Sequence, residues 1–182
     1  MNKLGKFFLR AQSWQVFAIV VGACAIGDLA FLRSVTLASN ERVSASMQLL
    51  NIFAALCDSV GFIWLWLLGI ELNDLTRLHR KWSVKLFLVA VAVSEIYLIV
   101  LFVFALNTRV MKSIGPLVVF ATICIFYVVQ FVAKTLVLAE TGKVPRFRYY
   151  VIPFLLFCFF PLGIWLLQPR INQLYAERGE GD

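Results

Sequence analysis

The chain has very little of what most soluble active sites are built from: one histidine, His79, and four cysteines, Cys24, Cys57, Cys124 and Cys158, among 182 residues. No two cysteines form a C-x-x-C pair and all four stand inside apolar runs. Neither a disulfide framework nor a zinc site is expected, and the thiols read as small hydrophobes. His79 lies in the basic loop Arg77-Leu78-His79-Arg80-Lys81, so no Ser-His, Cys-His or metalloprotease arrangement is available. Charge is scarce as well: 15% of residues are Asp, Glu, Lys or Arg, against about 25% in an ordinary soluble domain. No nucleotide-binding motif occurs, no metal, cofactor or prosthetic group is called for, and no connection between apolar runs is long enough to hold a soluble core.

What the chain has is apolar residues, 62% of the total, gathered into long runs divided by short charged stretches. A soluble core of this size could not hide them, and lipid is the solvent such runs suit. The net charge of +7 would raise nucleic acid in another context. Here the Lys and Arg residues cluster at the ends of apolar runs, with no recognition helix or stacking platform, and read as anchors at anionic lipid headgroups.

Five runs are long enough to span about 30 Å of hydrocarbon at about 1.5 Å per helical residue: Trp14 to Leu32, Met47 to Leu72, Val84 to Leu106, Ile114 to Leu138 and Tyr149 to Leu167. Each must satisfy its own backbone, so the expected fold is an all-α polytopic transmembrane helix bundle, residues 14–168. Residues 1–13 form a basic N-terminus on the cytoplasmic side and residues 169–182 a flexible extracytoplasmic tail, its Gly- and charge-rich end from Glu177 to Asp182 reading as disordered. Orientation follows from Lys and Arg on alternate sides. One side collects eleven (Lys3, Lys6, Arg10, Arg77, Arg80, Lys81, Lys85, Lys134, Lys143, Arg146, Arg148) and the other six (Arg33, Arg42, Arg109, Lys112, Arg170, Arg178). With five crossings this places the N-terminus inside and the C-terminus outside. Lys3, Lys6 and Arg10 before an apolar stretch resemble a secretory signal, but the run continues past Cys24 to Leu32, so a retained span is expected. Ile52 to Cys57 and Val119 to Cys124 look alike, yet no polar feature repeats between them and they read as chance similarity.

Ionisable residues inside the runs are the strongest functional signal, because each costs at least about 2.5–3.5 kcal/mol at a helix centre. Asp28 and Lys134 lie about one turn from helix ends, where Lys134 can extend to the headgroups; Asp58 and Glu95 are deeper. Asn51, Ala54, Ala55, Asp58 and Gly61 share one helix face, small and polar as membrane helix contacts are. Ala23 and Gly27 offer a small-xxx-small pair beside Cys24 and Asp28, and Tyr127, Gln130 and Lys134 form a polar stripe. Two readings stand. Asp28, Asn51, Asp58, Glu95, Tyr127, Gln130 and Lys134 meet as a proton- or cation-responsive cluster, or the carboxyls are hydrogen-bonding groups that lock helix register. Ala25-Ile26-Gly27-Asp28 resembles the G-x-G-D box of intramembrane aspartyl proteases, with Asp58 as a second carboxylate. Against it, Ala25 replaces the first glycine, the carboxylates come in the wrong order and no Pro-Ala-Leu follows.

The last run carries Pro153 and Pro161 and a crowd of aromatics, which predicts a kinked helix packed on its neighbours. Its ending, Phe159-Phe160-Pro161-Leu162-Gly163-Ile164-Trp165-Leu166-Leu167-Gln168-Pro169-Arg170-Ile171-Asn172, resembles the C-terminal segment of uncharacterised bacterial polytopic membrane proteins. The resemblance covers about a fifth of the chain and implies no activity. The expectation is a multi-pass protein of the bacterial inner membrane, not an enzyme, acting as a partner or sensor subunit through helix association with itself or another membrane protein. Arg77, His79, Arg80 and Lys81 are its candidate contact to lipid headgroups or a partner. The alternative is a small proton- or cation-coupled channel or transporter using Asp58 and Glu95.

Overall fold

A segment in hydrocarbon can satisfy its own backbone only as a helix, and the apolar runs are helical. A computed structural model of the chain describes residues 11–40, 45–76, 81–104 and 108–179, with side chains at 11–37, 45–76, 84–104 and 117–176. The helices are α1 (Ser13–Asn40), α2 (Ala45–Leu75), α3 (Lys81–Phe104), α4 (Thr108–Thr141), α5 (Phe147–Cys158) and α6 (Phe160–Gly179). Among the described residues there is no strand. Four helices, α1 to α4, are long and apolar enough to cross a membrane.

Helix α2 is the hub, packed on α1, α3 and α4, and glycine makes two of those contacts close. On the α1 side, a Cβ added at Gly27 would lie 3.0 Å from the Ala54 carbonyl oxygen and 3.0 Å from Cys57 Cβ. The two backbones therefore approach as small-residue faces in membranes permit. On the α3 side, Gly69 receives the ring of Phe87, whose Cζ would lie 2.3 Å from a Cβ at that position. Phe87 is fully buried and stacks on Phe131 of α4 with ring centroids 4.4 Å apart. One aromatic pair thus joins α2, α3 and α4.

The expected fifth crossing, Tyr149 to Leu167, is not one helix. Phe159, with φ −88° and ψ 59°, separates α5 from α6. Pro161 stands in the first turn of α6, where its missing N–H leaves no ladder bond unmade. Gly163 then approaches so closely that a Cβ there would lie 1.9 Å from the Leu156 carbonyl oxygen. Helix α5 runs back along α4, with Tyr150 bonded to Gln130 and Phe154 beside Phe126. At the turn, Phe157 and Phe160 pack on Trp64 of α2. Helix α6 then returns: Phe160 lies near Gly61 and Val20, and Trp165 near Phe17. Asn172 reaches Ala11, and Tyr175 reaches Glu71 near the end of α2.

The hairpin thus enters the bundle at the end where α1 begins and α2 and α4 finish, and leaves at the same end. From Gly61 to Glu71, ten residues of α2, its depth is about 15 Å. The tail also differs from expectation. Residues 169–179 continue α6 because Ile171 and Leu174 are buried in the core together with Ile164 and Leu167. The last part of the expected third span, Ala105 and Leu106, lies outside the described residues, as do residues 1–10 of the expected basic N-terminus and 180–182 of the tail.

Candidate functional site

The close approach of α1 to α2 places Asp58 against α1. A Cβ at Gly27 would be 3.3 Å from Asp58 Oδ1, and the Cys24 thiol lies within hydrogen-bonding reach of the Asp58 carboxyl. Asp28 of α1 and Glu95 of α3 are both near enough to act on Asp58 through their charge. Asp58 thus lies within reach of the charge of one carboxylate on each of the neighbouring helices α1 and α3. The three carboxylates differ in surroundings: Asp58 and Glu95 are half-buried, whereas Asp28 is exposed on the outer surface of α1. One oxygen of Glu95, Oε2, is buried with no hydrogen-bond partner among the described residues. Such an atom forfeits its solvation without recompense, at about 1–3 kcal/mol.

Asn51, two turns from Asp58 on the same face of α2, has a different partner. It is fully buried, and its Oδ1 accepts a hydrogen bond from the Ser34 hydroxyl of α1, which also donates to the Phe31 carbonyl at 2.8 Å. The apolar residues Phe31, Phe102, Ala54 and Ala55 lie around this pair, with the Phe31 and Phe102 rings edge to face at 5.0 Å. On the other side of the acid cluster, Gly61 lies beside Cys24 and the Phe160 ring at the tip of the hairpin. The cluster is thus held between an apolar layer and the aromatic turn of α5–α6.

The remaining polar stripe does not join it. Gln130 donates to the Tyr150 hydroxyl of α5 at 3.0 Å, Tyr127 packs against the main apolar core, and Lys134 is half-buried further along α4. The single cluster expected from sequence is therefore divided. Asp28, Asp58 and Glu95 come together, Asn51 pairs separately with Ser34, and Gln130 serves the α4–α5 contact. Among the described residues no group of three His, Cys, Asp or Glu side chains has the geometry to hold a metal ion. Arg77, His79 and Arg80, and the side chain of Lys81, lie outside what is described.

Sequence reasoning missed a polar layer at the end of the bundle where the chain returns. Arg170 makes a two-pronged ion pair with Glu140, at 2.9 and 2.6 Å. Tyr175 donates to Glu71 at 3.1 Å, Glu71 being buried. Gln168 and Asn172 both donate to the Ala11 carbonyl. A signal was present: Gln168, Asn172 and Tyr175 recur at helical spacing, as do Leu167, Ile171 and Leu174 on the adjoining apolar face. Comparison with protein-family models, with curated proteins and with solved structures found no match.

Proposed function

We propose that the chain is a non-catalytic, multi-pass subunit of the bacterial inner membrane that acts through association of its helices, with further copies of itself or with another membrane protein. The observation that carries the reading is Asp28. It stands exposed on α1 beside Ile26, Leu29 and Leu32, which are exposed too, within a helix apolar enough to cross a membrane. Helix α1 continues to Asn40, so Asp28 stands well inside it rather than one turn from its end; a carboxyl offered to hydrocarbon there costs about 2.5–3.5 kcal/mol, and an adjoining helix that supplies a donor relieves that cost. A photo-crosslinking residue at Leu32, one turn from Asp28 on the same face, is expected to capture a second copy or an identifiable membrane protein in native membranes. Strictly monomeric protein with no crosslinked product rejects the reading.

The arrangement in the membrane that goes with this function is four crossings, α1 to α4, and a re-entrant hairpin, α5–α6, with both chain ends cytoplasmic. Charge supports it. Moving Arg170 and Arg178 to the side of the N-terminus turns eleven against six into thirteen against four, a sharper excess of cytoplasmic Lys and Arg. At the hairpin tip the side chain of Phe159 is exposed, while its neighbours Phe157 and Phe160 pack on Trp64 and anchor the broken helix to α2.

A second reading, cation- or proton-coupled movement through the bundle, is favoured by the unpartnered Glu95 oxygen beside Asp58. Reconstituted vesicles test it. Flux of protons or monovalent cations that is abolished by Asp58→Asn makes the chain a transporter or channel; absence of flux in the wild type removes this reading.

A further inference from the structure

One basic cluster lies wholly within described residues, in and just after the turn that links α4 to α5. Gly142, at φ 67°, ends α4 in the left-handed conformation and donates its N–H to the Leu138 carbonyl at 2.9 Å. The Thr141 hydroxyl bonds the Val137 carbonyl at 2.8 Å and the Lys143 carbonyl at 3.2 Å. The turn is therefore a fixed shape. It exposes Lys143, Arg146 and Arg148, interleaved with Val144, Phe147 and Tyr149, each more than half exposed. No Asp or Glu occurs from Thr141 to Ala176, and the carboxylate just before the turn, Glu140, is engaged by Arg170. Lys143, Arg146 and Arg148 make no ion pair among the described residues. The Arg148 guanidinium lies 4.7 Å over the Tyr149 ring and donates to its hydroxyl, which holds it in place.

We propose that this turn is a binding site for the headgroup of an anionic phospholipid. The cations match a phosphodiester, while the alternating apolar side chains match the boundary between headgroups and acyl chains. A soluble polyanion would use the first and leave Val144 and Phe147 without a role. The Glu140–Arg170 pair adjoins the turn, so the turn lies at the bundle end that carries the polar layer, where helix ends meet the headgroups. The site rests on insertion of the chain in a membrane and is independent of whether α1 meets a partner.

Native mass spectrometry of the detergent-extracted full chain, with phosphatidylglycerol and phosphatidylcholine of identical acyl chains, tests it. Phosphatidylglycerol is expected to be retained preferentially. Each Lys or Arg near an anionic surface contributes about fivefold, so K143Q/R146Q/R148Q is expected to lose at least about tenfold of the preference. R109Q/K112Q, in the first turns of α4 at the other end of that helix, is expected to keep it. Should the triple variant fail to fold by circular dichroism, the three single variants carry the test, each losing about fivefold. Val144→Ser with Phe147→Ser is expected to weaken lipid retention and to leave binding of inositol hexakisphosphate unchanged. A preference that survives in the triple variant overturns the proposal, as does wild-type protein that binds the soluble polyanion as tightly as phosphatidylglycerol.

Discussion

Asn172, near the end of α6, donates from Nδ2 to the carbonyl oxygen of Ala11, just before α1, at 3.1 Å. The bond joins residues 161 positions apart and does not act alone. Gln168 reaches the same oxygen at 3.4 Å, Arg170 clamps Glu140, and Tyr175 meets Glu71. Polar groups of one short helix thereby tie the start of α1 to the ends of α2 and α4. An α6 that continued to the opposite face could make none of these contacts.

The first prediction follows directly. Cysteines at Ala11 and Asn172 are expected to form an intramolecular disulfide under mild oxidation in native membranes. A reporter active only in the cytoplasm, fused after Asp182, is expected to give signal, and one active only in the periplasm to stay silent. The opposite reporter pattern, with no disulfide, restores a fifth crossing.

The four long helices were legible because length and apolar composition are all that a crossing requires. The small faces of α1 and α2 were legible too, since Ala23 and Gly27, and Asn51 through Gly61, fall at helical spacing. The turn at Phe159 was not, because the apolar run passes through it without a change of composition. Pro153 and Pro161 signalled a bend, yet Pro169 sits in an unbroken α6, so proline alone does not fix the site of reversal. What fixes it is Gly163 against the Leu156 carbonyl, a contact between helices that no local pattern encodes. The partner of Gln130 was hidden for the same reason: spacing defines a face, and only packing chooses what meets it.

Glycine substitutions separate these contacts. Gly163→Ala would drive a Cβ to 1.9 Å from a backbone carbonyl, and Gly69→Ala to 2.3 Å from Phe87, whose ring is held by Phe131. Both are expected to destabilise the bundle by about 1–3 kcal/mol, the usual cost of overpacking. Gly22→Ala, with nothing within 4 Å, is expected to be neutral. Thermal unfolding of the three variants in one detergent checks the order, and a Gly163→Ala protein as stable as Gly22→Ala contradicts the hairpin geometry.

Ser34→Ala removes the hydroxyl that Asn51 Oδ1 accepts from and leaves a buried amide oxygen without that donor. Hydrogen bonds between membrane helices average about 0.6 kcal/mol and reach about 1.7. The loss here is expected near the upper value, because Asn51 Nδ2 already has no partner among the described residues. Asn51→Leu with Ser34→Ala, which removes the whole polar pair, is expected to recover part of the loss. Unfolding of the two single variants and the double variant in denaturant yields the coupling. Additive effects would mean that the two side chains do not interact.

The last prediction concerns Asp58, which stands at the close contact of α2 with Gly27 of α1. Its Oδ1 lies where α1 offers Gly27 and Cys24, so the site accepts a small polar side chain and little else. Asparagine matches aspartate in size and retains hydrogen-bonding capacity toward Cys24, so Asp58→Asn is expected to change stability by less than about 1 kcal/mol. Leucine adds a branched apolar group beside a glycine whose own Cβ would already be 3.0 Å from Ala54 and Cys57. Asp58→Leu is therefore expected to cost about 1–3 kcal/mol and to part α1 from α2. Gly27→Ala, which crowds the same contact from the α1 side, is expected to resemble Asp58→Leu. Disulfide trapping between cysteines introduced on the facing sides of α1 and α2 reports the separation independently of stability. If Asp58→Leu traps as efficiently as the wild type and unfolds no earlier than Asp58→Asn, the carboxyl is not wedged against Gly27, and the acid cluster loses the contact that assembles it.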